Sequence, residues 1–317
     1  MNAPKPPPIP PIVAIVFGIL AVSTASIFIR FAQEEVPSLV IAAWRLTVAS
    51  LILVPIAATK HKRELLGLRR QGLLLALLSG FFLALHFATW ITSLQYTTVA
   101  SSVVLVSTIP LWVALLSPIT IKEPIRRAVF IGLIFTLLGV VVVAISDTCS
   151  ITMGRISCPN LKDFMQGQAF LGDILAVCGA IAGAGYLLIG RKLRASMSLV
   201  SYISVVYGMA AIVLIIIMFA AGLKPFGYSP QSYVWLILLA IIPQLIGHST
   251  FNWALAYLSA AFVSITLLGE PIGSTILAYF ILQEKPTPMK LIGGGLILVG
   301  IYLASRSETK KLPELPD

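Results

Sequence analysis

Two stretches of this chain each carry a glutamate thirteen residues after a proline: LVSTIPLWVALLSPITIKE at residues 105–123 and TLLGEPIGSTILAYFILQE at residues 266–284. Both belong to an ungapped internal repeat, in which residues 87–141 align with residues 248–302 at an offset of 161. The least generic of the identical positions are the pairs Pro110/Pro271, Glu123/Glu284, Gly132/Gly293 and Gly139/Gly300. Because none of these residue types is a common filler of apolar helices, the repeat indicates two related units joined in one chain.

The composition is that of a membrane protein. The chain is 58% hydrophobic and 11% charged, whereas a soluble domain carries about 25% charged residues. Apolar stretches of about 20 residues, the length needed to cross a bilayer as a helix, recur along it. We therefore predict an all-α integral membrane fold with ten transmembrane helices, at residues 12–31, 38–58, 72–93, 98–118, 127–145, 170–189, 199–221, 232–252, 260–282 and 289–305.

The placement of basic residues predicts the orientation of the chain and argues against nucleic-acid binding, because the net charge of +10 is spread over the loops between apolar segments. Fifteen Lys and Arg residues fall on one side and five on the other. The positive-inside rule makes the first side cytoplasmic, so both termini are predicted to be cytoplasmic in a multi-pass protein of the inner (plasma) membrane. The predicted segments are a Pro-rich arm (1–11), a first five-helix repeat (12–146), an external loop (147–169), a second repeat (170–305) and a tail (306–317).

Five helices per half is an odd number, so the second repeat is predicted to enter the membrane inverted relative to the first. Glu123 then lies at the inner mouth and Glu284 at the outer mouth. Each either caps or starts the next helix or is a gating residue, and Pro110 and Pro271 are likewise interpreted as structural or gating positions. The repeated glycines of the fifth and tenth helices predict close helix packing.

The predicted external loop contains two of the three cysteines, Cys149 and Cys158. An oxidising compartment permits a disulfide between them, and two free thiols are the alternative. The third, Cys178, falls within the sixth predicted helix and is interpreted as a small packing residue.

Polar and aromatic side chains within the predicted helices are the candidate substrate contacts, because buried polar groups are costly in a membrane. They are Trp44, Arg45, His86, Trp90, Gln244, His248, Asn252 and Glu270. Glu270 and His86 are also the candidates for proton coupling. The alternatives are structural: Arg45 reaching the interface, His86 packing, the tryptophans forming an aromatic belt, and a neutral Glu270 hydrogen-bonded to a neighbouring helix.

With these features the chain resembles EamA-type transporters of the drug/metabolite transporter superfamily. The likeness is carried by Trp44-Arg45 and by the doubled pattern of proline, glutamate and glycine, above all in Leu268-Gly269-Glu270-Pro271 through Leu282-Gln283-Glu284. It implies two inverted five-helix bundles around a central cavity, and movement of amino acids, metabolites or toxic compounds, often outward. The long cysteine-bearing central loop departs from the short connection usual in this family.

The sequence carries no HExxH motif, no Walker A lysine motif and no nucleophile with a placed base. We therefore predict no enzyme activity, no cofactor and no metal. The predicted function is a secondary transporter that moves small metabolites, amino acids or drug-like solutes by alternating access; the resemblance implies export, and protons are the candidate coupling ion. The lipid bilayer and a small-molecule substrate are its expected partners, with a monomer favoured and no nucleic acid. The alternative is a non-transporting membrane sensor or assembly protein.

Overall fold

The computed structural model describes residues 7–96, 102, 105–148, 150–152, 155–157, 168–281, 283 and 288–308. The first half contains α1 (Pro11–Ser23), α2 (Ala25–Ala32), α3 (Ser38–Lys60), α4 (Lys62–Leu66), α5 (Arg70–Tyr96), α6 (Ile109–Thr120) and α7 (Arg127–Thr148). The second contains α8 (Gln168–Arg194), α9 (Leu199–Ala220), α10 (Pro230–Leu239), a π-helical segment (Ala240–His248), α11 (Ser249–Ala254), α12 (Ala260–Thr266), a 3₁₀ turn (Leu267–Gly269), α13 (Glu270–Ile281) and α14 (Pro288–Glu308).

The predicted helical membrane fold is confirmed. Within the described residues, seven helical stretches are long and apolar enough to cross a membrane: Pro11–Ala32, Ser38–Lys60, Arg70–Tyr96, Phe170–Arg194, Leu199–Ala220, Pro230–Ala254 and Ala260–Ile281. Three shorter apolar helices, Ile109–Thr120, Arg127–Val142 and Leu291–Ala304, fall in the remaining predicted spans. The ten-span count stays a prediction.

The outward-facing surface is apolar, as contact with lipid requires. Phe17 is 64% exposed, Leu51 69% and Phe280 68%. Large exposed apolar surface is a liability in water and is compatible with a hydrocarbon surround.

Several predicted helices are interrupted within the described residues. The first is divided at Thr24, whose hydroxyl donates to the Ala21 carbonyl at 2.8 Å. The eighth passes through the π-helical segment at Pro243, and the ninth changes to a 3₁₀ turn just before Pro271. Proline has no N–H to donate to the preceding turn, which explains the irregular geometry at Pro243.

The connection between the halves contains a short element that the sequence did not predict. Strands β1 (Ser150–Thr152) and β2 (Arg155–Ser157) pair antiparallel, with Ile151 opposite Ile156. Cys149 and Cys158, the candidate disulfide, lie outside the described residues, as does Glu284.

The repeat offset is reproduced in the backbone. Helices α6 and α13 begin at 109 and 270 and end at 120 and 281, a difference of 161 at both ends. The same difference separates the starts of α3 and α9 (38 and 199) and of α7 and α14 (127 and 288). Lys122 and Gln283, also 161 apart, share a left-handed φ of 56°. The two units therefore share helix boundaries and a local turn as well as residues.

The repeated glycines pack α7 against α14. A methyl group placed on Gly132 would lie 2.5 Å from the Gly300 carbonyl oxygen, and one on Gly139 would lie 2.5 Å from the Gly293 carbonyl oxygen. Because Gly132 matches Gly293 and Gly139 matches Gly300, exchanging the two halves maps one contact onto the other. The predicted role of these glycines in close helix packing is confirmed.

A second contact between the halves involves Glu64 of α4. Its carboxylate accepts hydrogen bonds from the Ser198 backbone N–H and hydroxyl and from the Ser201 hydroxyl, each at 2.6 Å. Partial burial raises the pKa of this carboxyl, but these hydrogen bonds outweigh burial and hold the pKa of Glu64 below its usual value of 4.5. The charged form of Glu64 therefore stabilises the junction of α4 with the start of α9.

The packing of α7 on α14 is tested by adding one methyl group. We expect Gly139→Ala to lower the unfolding temperature in detergent, because overpacking against a backbone carbonyl costs about 1–3 kcal/mol. The matched control is Gly295→Ala, since a methyl group there meets nothing within 4 Å. Equal unfolding temperatures for the two variants would contradict the close contact.

The Glu64 contact predicts a pH-dependent stability difference. A carboxyl with a lowered folded-state pKa contributes stability above its unfolded pKa, and that stability is lost as the pH falls through the folded-state value. Glu64→Gln should therefore unfold at a lower temperature than the wild type at pH 7, with the gap narrowing as the pH falls below about 4.5. Thermal unfolding across this pH range, with the exposed Glu34→Gln as control, measures it; a gap independent of pH would refute the assignment.

Candidate functional site

The candidate site is centred on Arg45, which α3 places inside the protein with 1% of its surface exposed. Its Nε donates a hydrogen bond to Oε1 of Gln244 at 2.8 Å. Its guanidinium carbon lies 4.4 Å from the centroid of the Phe87 ring, a cation–π contact. Neither Nη1 nor Nη2 has a hydrogen-bond partner among the described residues. The interpretation that Arg45 reaches the membrane interface is wrong, because the side chain turns into the protein.

The irregular helices supply the groups around Arg45. Gln244, which is fully buried, follows Pro243 in the π-helical segment. Glu270 begins α13 directly after the 3₁₀ turn and interacts electrostatically with Arg45. Helix interruptions therefore position both second-half partners of a first-half arginine.

His86 and Trp90 form one aromatic wall beside this cluster. Their rings stack, with centroids 5.9 Å apart and 20° between planes. His86 Nδ1 lies 2.9 Å from the Gly179 carbonyl oxygen, which can only accept, so Nδ1 carries the proton of this bond. Nε1 of Trp90 is buried without a partner among the described residues.

The side chains packed against each other at matched positions of the two halves differ in size, and this difference leaves space for His86. The repeat matches His86 with Gly247 and Gly183 with Val22, each 161 apart. A methyl group on Gly183 would lie 3.0 Å from His86 Nδ1, and one on Gly247 would lie 2.5 Å from a Val22 methyl. One half thus pairs a large histidine with glycine, and the other pairs glycine with valine. This contact supports a packing role for His86.

His248 and Asn252 occupy different surroundings. The His248 ring meets Phe87 edge to face at 5.5 Å, which places it near Arg45. Asn252 Nδ2 donates to the Tyr186 and Tyr207 hydroxyls and to the His248 carbonyl, while its Oδ1 has no partner among the described residues. Asn252 therefore belongs to a tyrosine network adjoining the arginine cluster.

Trp44 is directed elsewhere. Its Nε1 donates to the Pro225 carbonyl at 2.8 Å, and its ring packs edge to face on Phe226 and Tyr233. The structure brings together Arg45, His86, Trp90, Gln244, His248 and Glu270, and leaves Trp44 outside this group.

Sequence reasoning missed Phe87, Tyr186 and Tyr207. The two tyrosine hydroxyls were a usable signal, because a buried tyrosine in a membrane helix needs a polar partner. Phe87 carried no such signal, since only the path of the Arg45 side chain makes it a cation–π partner.

Glu123 forms a separate contact between the halves. Its Oε1 accepts from Arg191 Nε at 3.1 Å and Nη2 at 3.0 Å, and its Oε2 accepts from the Ala260 N–H at 3.3 Å. Arg191 also donates to the Leu255 carbonyl at 2.8 Å. Glu123 therefore accepts the first N–H of α12 in the other half and forms an ion pair with Arg191, while the predicted cap of the next helix in the chain stays a prediction.

Pro110 and Pro271 each stand second in their helices, α6 and α13. The first turn of a helix needs no N–H donor there, so both prolines start a helix without breaking one. They are structural positions in this conformation.

Three polar side chains of this region are enclosed by protein: Arg45 is 1% exposed, and Gln244 and Asn252 are 0% exposed. An open cavity, which the family resemblance led us to expect, is not present around these three side chains in this conformation. Within the described residues, no group of three or more His, Cys, Asp or Glu side chains is placed to hold a metal ion.

Known proteins match this chain over most of its length. An uncharacterized transporter of Archaeoglobus fulgidus is 23% identical over 287 residues, covering 89% of this chain and 92% of that protein. The pseudopaline exporter CntI of Pseudomonas aeruginosa is 22% identical over 298 residues, covering 93% and 96%. A protein crystal structure superposes with a TM-score of 0.73 at 16% identity, covering 94% of this chain and 98% of that one.

The two matches to a protein family coincide with the two halves of the internal repeat. The EamA-like transporter family matches twice, at residues 9–145 and 170–306, and so covers both halves and omits the connection between them. The protein is thus built of two copies of one transporter unit, and the chain belongs to the EamA-like transporter family.

Proposed function

We propose that this protein is a secondary transporter that exports small metabolites, amino acids or drug-like solutes by alternating access of two inverted halves. The observation that carries the proposal is the buried Arg45, a first-half side chain whose partners Gln244 and Glu270 come from the second half. A site made by both halves changes whenever they move relative to each other, as alternating access requires.

The inverted arrangement is supported by the self-matching glycine contacts of α7 and α14. Gly132 contacts Gly300 while Gly139 contacts Gly293, so the two helices run antiparallel with matched residues exchanged. An odd number of crossings per half gives this relation, and it supports the proposed ten spans. The excess of basic residues on one side supports cytoplasmic termini in an inner-membrane protein.

The Glu123–Arg191 ion pair supports a gate at the proposed inner mouth. It joins the chain after α6 to α8, and Glu123 also holds the start of α12. The two side chains are 24% and 25% exposed, so they lie at the edge of the protein and not in its core. This ion pair closes one face and must separate for that face to open.

Export is supported by the relative whose name is that of an exporter. Proton coupling is assigned to Glu270 in preference to His86, because Glu270 interacts with Arg45 in the cluster while Nδ1 of His86 is held by a backbone carbonyl. We further propose a monomer with no enzymatic activity, acting on a small solute within the bilayer.

The transport proposal is tested in proteoliposomes with a panel of labelled amino acids and amphipathic cations. Arg45→Gln should reduce flux at least about tenfold, because it removes a charged hydrogen-bonding group from the site. Arg30→Gln, which changes an exposed arginine of α2, is the matched control and should transport as the wild type does. No flux of any solute by the wild type would favour a non-transporting sensor or assembly protein.

Proton coupling is tested in the same vesicles. Glu270→Gln should remove the dependence of flux on an imposed pH gradient, because glutamine cannot exchange a proton, whereas His86→Ala should retain it. Unchanged pH dependence in Glu270→Gln would contradict the assignment of Glu270.

The gate is tested with a reporter cysteine. In a background with all three native cysteines replaced by serine, Ala260→Cys places a thiol beside Glu123 at a fully buried position. Adding Glu123→Gln should speed labelling by an impermeant thiol reagent roughly two- to fivefold, the range expected for a partly exposed ion pair. Glu34→Gln is the control; equal labelling rates in both backgrounds would argue against a gate.

A further inference from the structure

We propose that the terminal nitrogens of Arg45 bind a carboxylate group of the transported solute. The inference rests on the proposed transport function and narrows its substrates to solutes that carry a carboxylate. Two nitrogens of the buried Arg45 guanidinium have no hydrogen-bond partner among the described residues.

A guanidinium group carries five N–H donors. The protein uses the Nε donor of Arg45 in its bond to Gln244, and Phe87 covers one face of the group. Nη1 and Nη2 have no hydrogen-bond partner among the described residues although Arg45 is 99% buried. A buried charge without hydrogen bonds at two of its three nitrogens is costly, so this edge is suited to an acceptor from outside the chain.

Two further unpaired atoms of this cluster are donors, whereas the unpaired acceptor Oδ1 of Asn252 belongs to the tyrosine network. Nε2 of Gln244 lacks a partner among the described residues, although Oε1 of the same amide is bonded to Arg45. Nε1 of Trp90, behind the stacked His86 ring, is likewise buried without a partner. A cluster of donors selects a ligand group that only accepts, which describes an anion.

Geometry suits a carboxylate, and charge favours it over a phosphate. The planar fork of two guanidinium nitrogens matches two carboxylate oxygens in a bidentate pair. A carboxylate carries one negative charge and would balance the single positive charge of Arg45, whereas a dianionic phosphate would leave an excess of negative charge on a buried group. The rings of Phe87, His86 and Trp90 pack together beside Arg45, so an apolar body attached to the carboxylate would meet aromatic side chains when the halves move apart.

The experiment compares acids with their uncharged amides on wild-type protein in lipid nanodiscs, with binding measured by calorimetry at pH 7. The probes are 3-phenylpropionate against 3-phenylpropionamide, and L-leucine against L-leucinamide, so that the carboxylate is varied with and without an ammonium group. We expect at least one acid to bind about tenfold or more tighter than its amide. Equal affinity within both pairs, or no binding of either acid, overturns the proposal, as does tighter binding of inorganic phosphate than of both acids.

Variants connect the preference to Arg45. Arg45→Lys keeps the charge but not the fork, and should reduce the acid-to-amide ratio at least severalfold. Arg30→Gln should leave the ratio unchanged. Because the primary comparison uses the wild type, poor folding of an Arg45 variant does not remove the test; an unchanged ratio in folded Arg45→Lys counts against it.

Binding and flux separate this inference from the proposed function. If solutes are transported but acids do not bind more tightly than their amides, the transport proposal is supported and the carboxylate-site proposal is wrong. Acid-selective binding without flux of either acid keeps the carboxylate site and counts against transport.

Discussion

A guanidinium group buried in the membrane-spanning part of this protein is the constraint around which its central helices are organised. Arg45 is almost completely enclosed, so its charge has to be met by groups inside the protein. The π-helical segment brings Gln244 to its Nε, and the 3₁₀ turn before Glu270 brings a carboxylate into electrostatic range. Phe87 covers the guanidinium face. The irregular helices of the second half thus place polar groups beside the Arg45 guanidinium of the first half.

Approximate two-fold symmetry forms the scaffold, and departures from it form the site. Glycines on α7 and α14 contact one another in matched pairs, and both halves share helix boundaries 161 residues apart. At the centre the matches fail: Glu270 corresponds to Ile109, and His86 to Gly247. In one half His86 packs on Gly183, and at the matched positions of the other half Gly247 packs on Val22. Both contacts are close, but only the first contains a polar ring.

Glu123 makes two different contacts through its two carboxylate oxygens. The sequence offered a cap of the next helix in the chain or a gating residue at this position. The structure gives it the cap of α12 through the Ala260 N–H and, on its other carboxylate oxygen, an ion pair with Arg191. Both contacts reach residues of the other half, so Glu123 joins the two halves through each of its carboxylate oxygens.

The sequence by itself determined the membrane class, the two related units, the packing glycines and most polar residues of the cluster, because hydropathy, repeat register and buried polarity are local or periodic properties. Only the tertiary structure decided which candidates meet. Trp44 and Arg45 are adjacent in sequence, yet a helix turns successive side chains about 100° apart, so Trp44 packs on Phe226 while Arg45 enters the core. Arg45 and Gln244 are 199 residues apart, and their contact depends on how the helices pack. The hydropathy pattern does not specify helix packing.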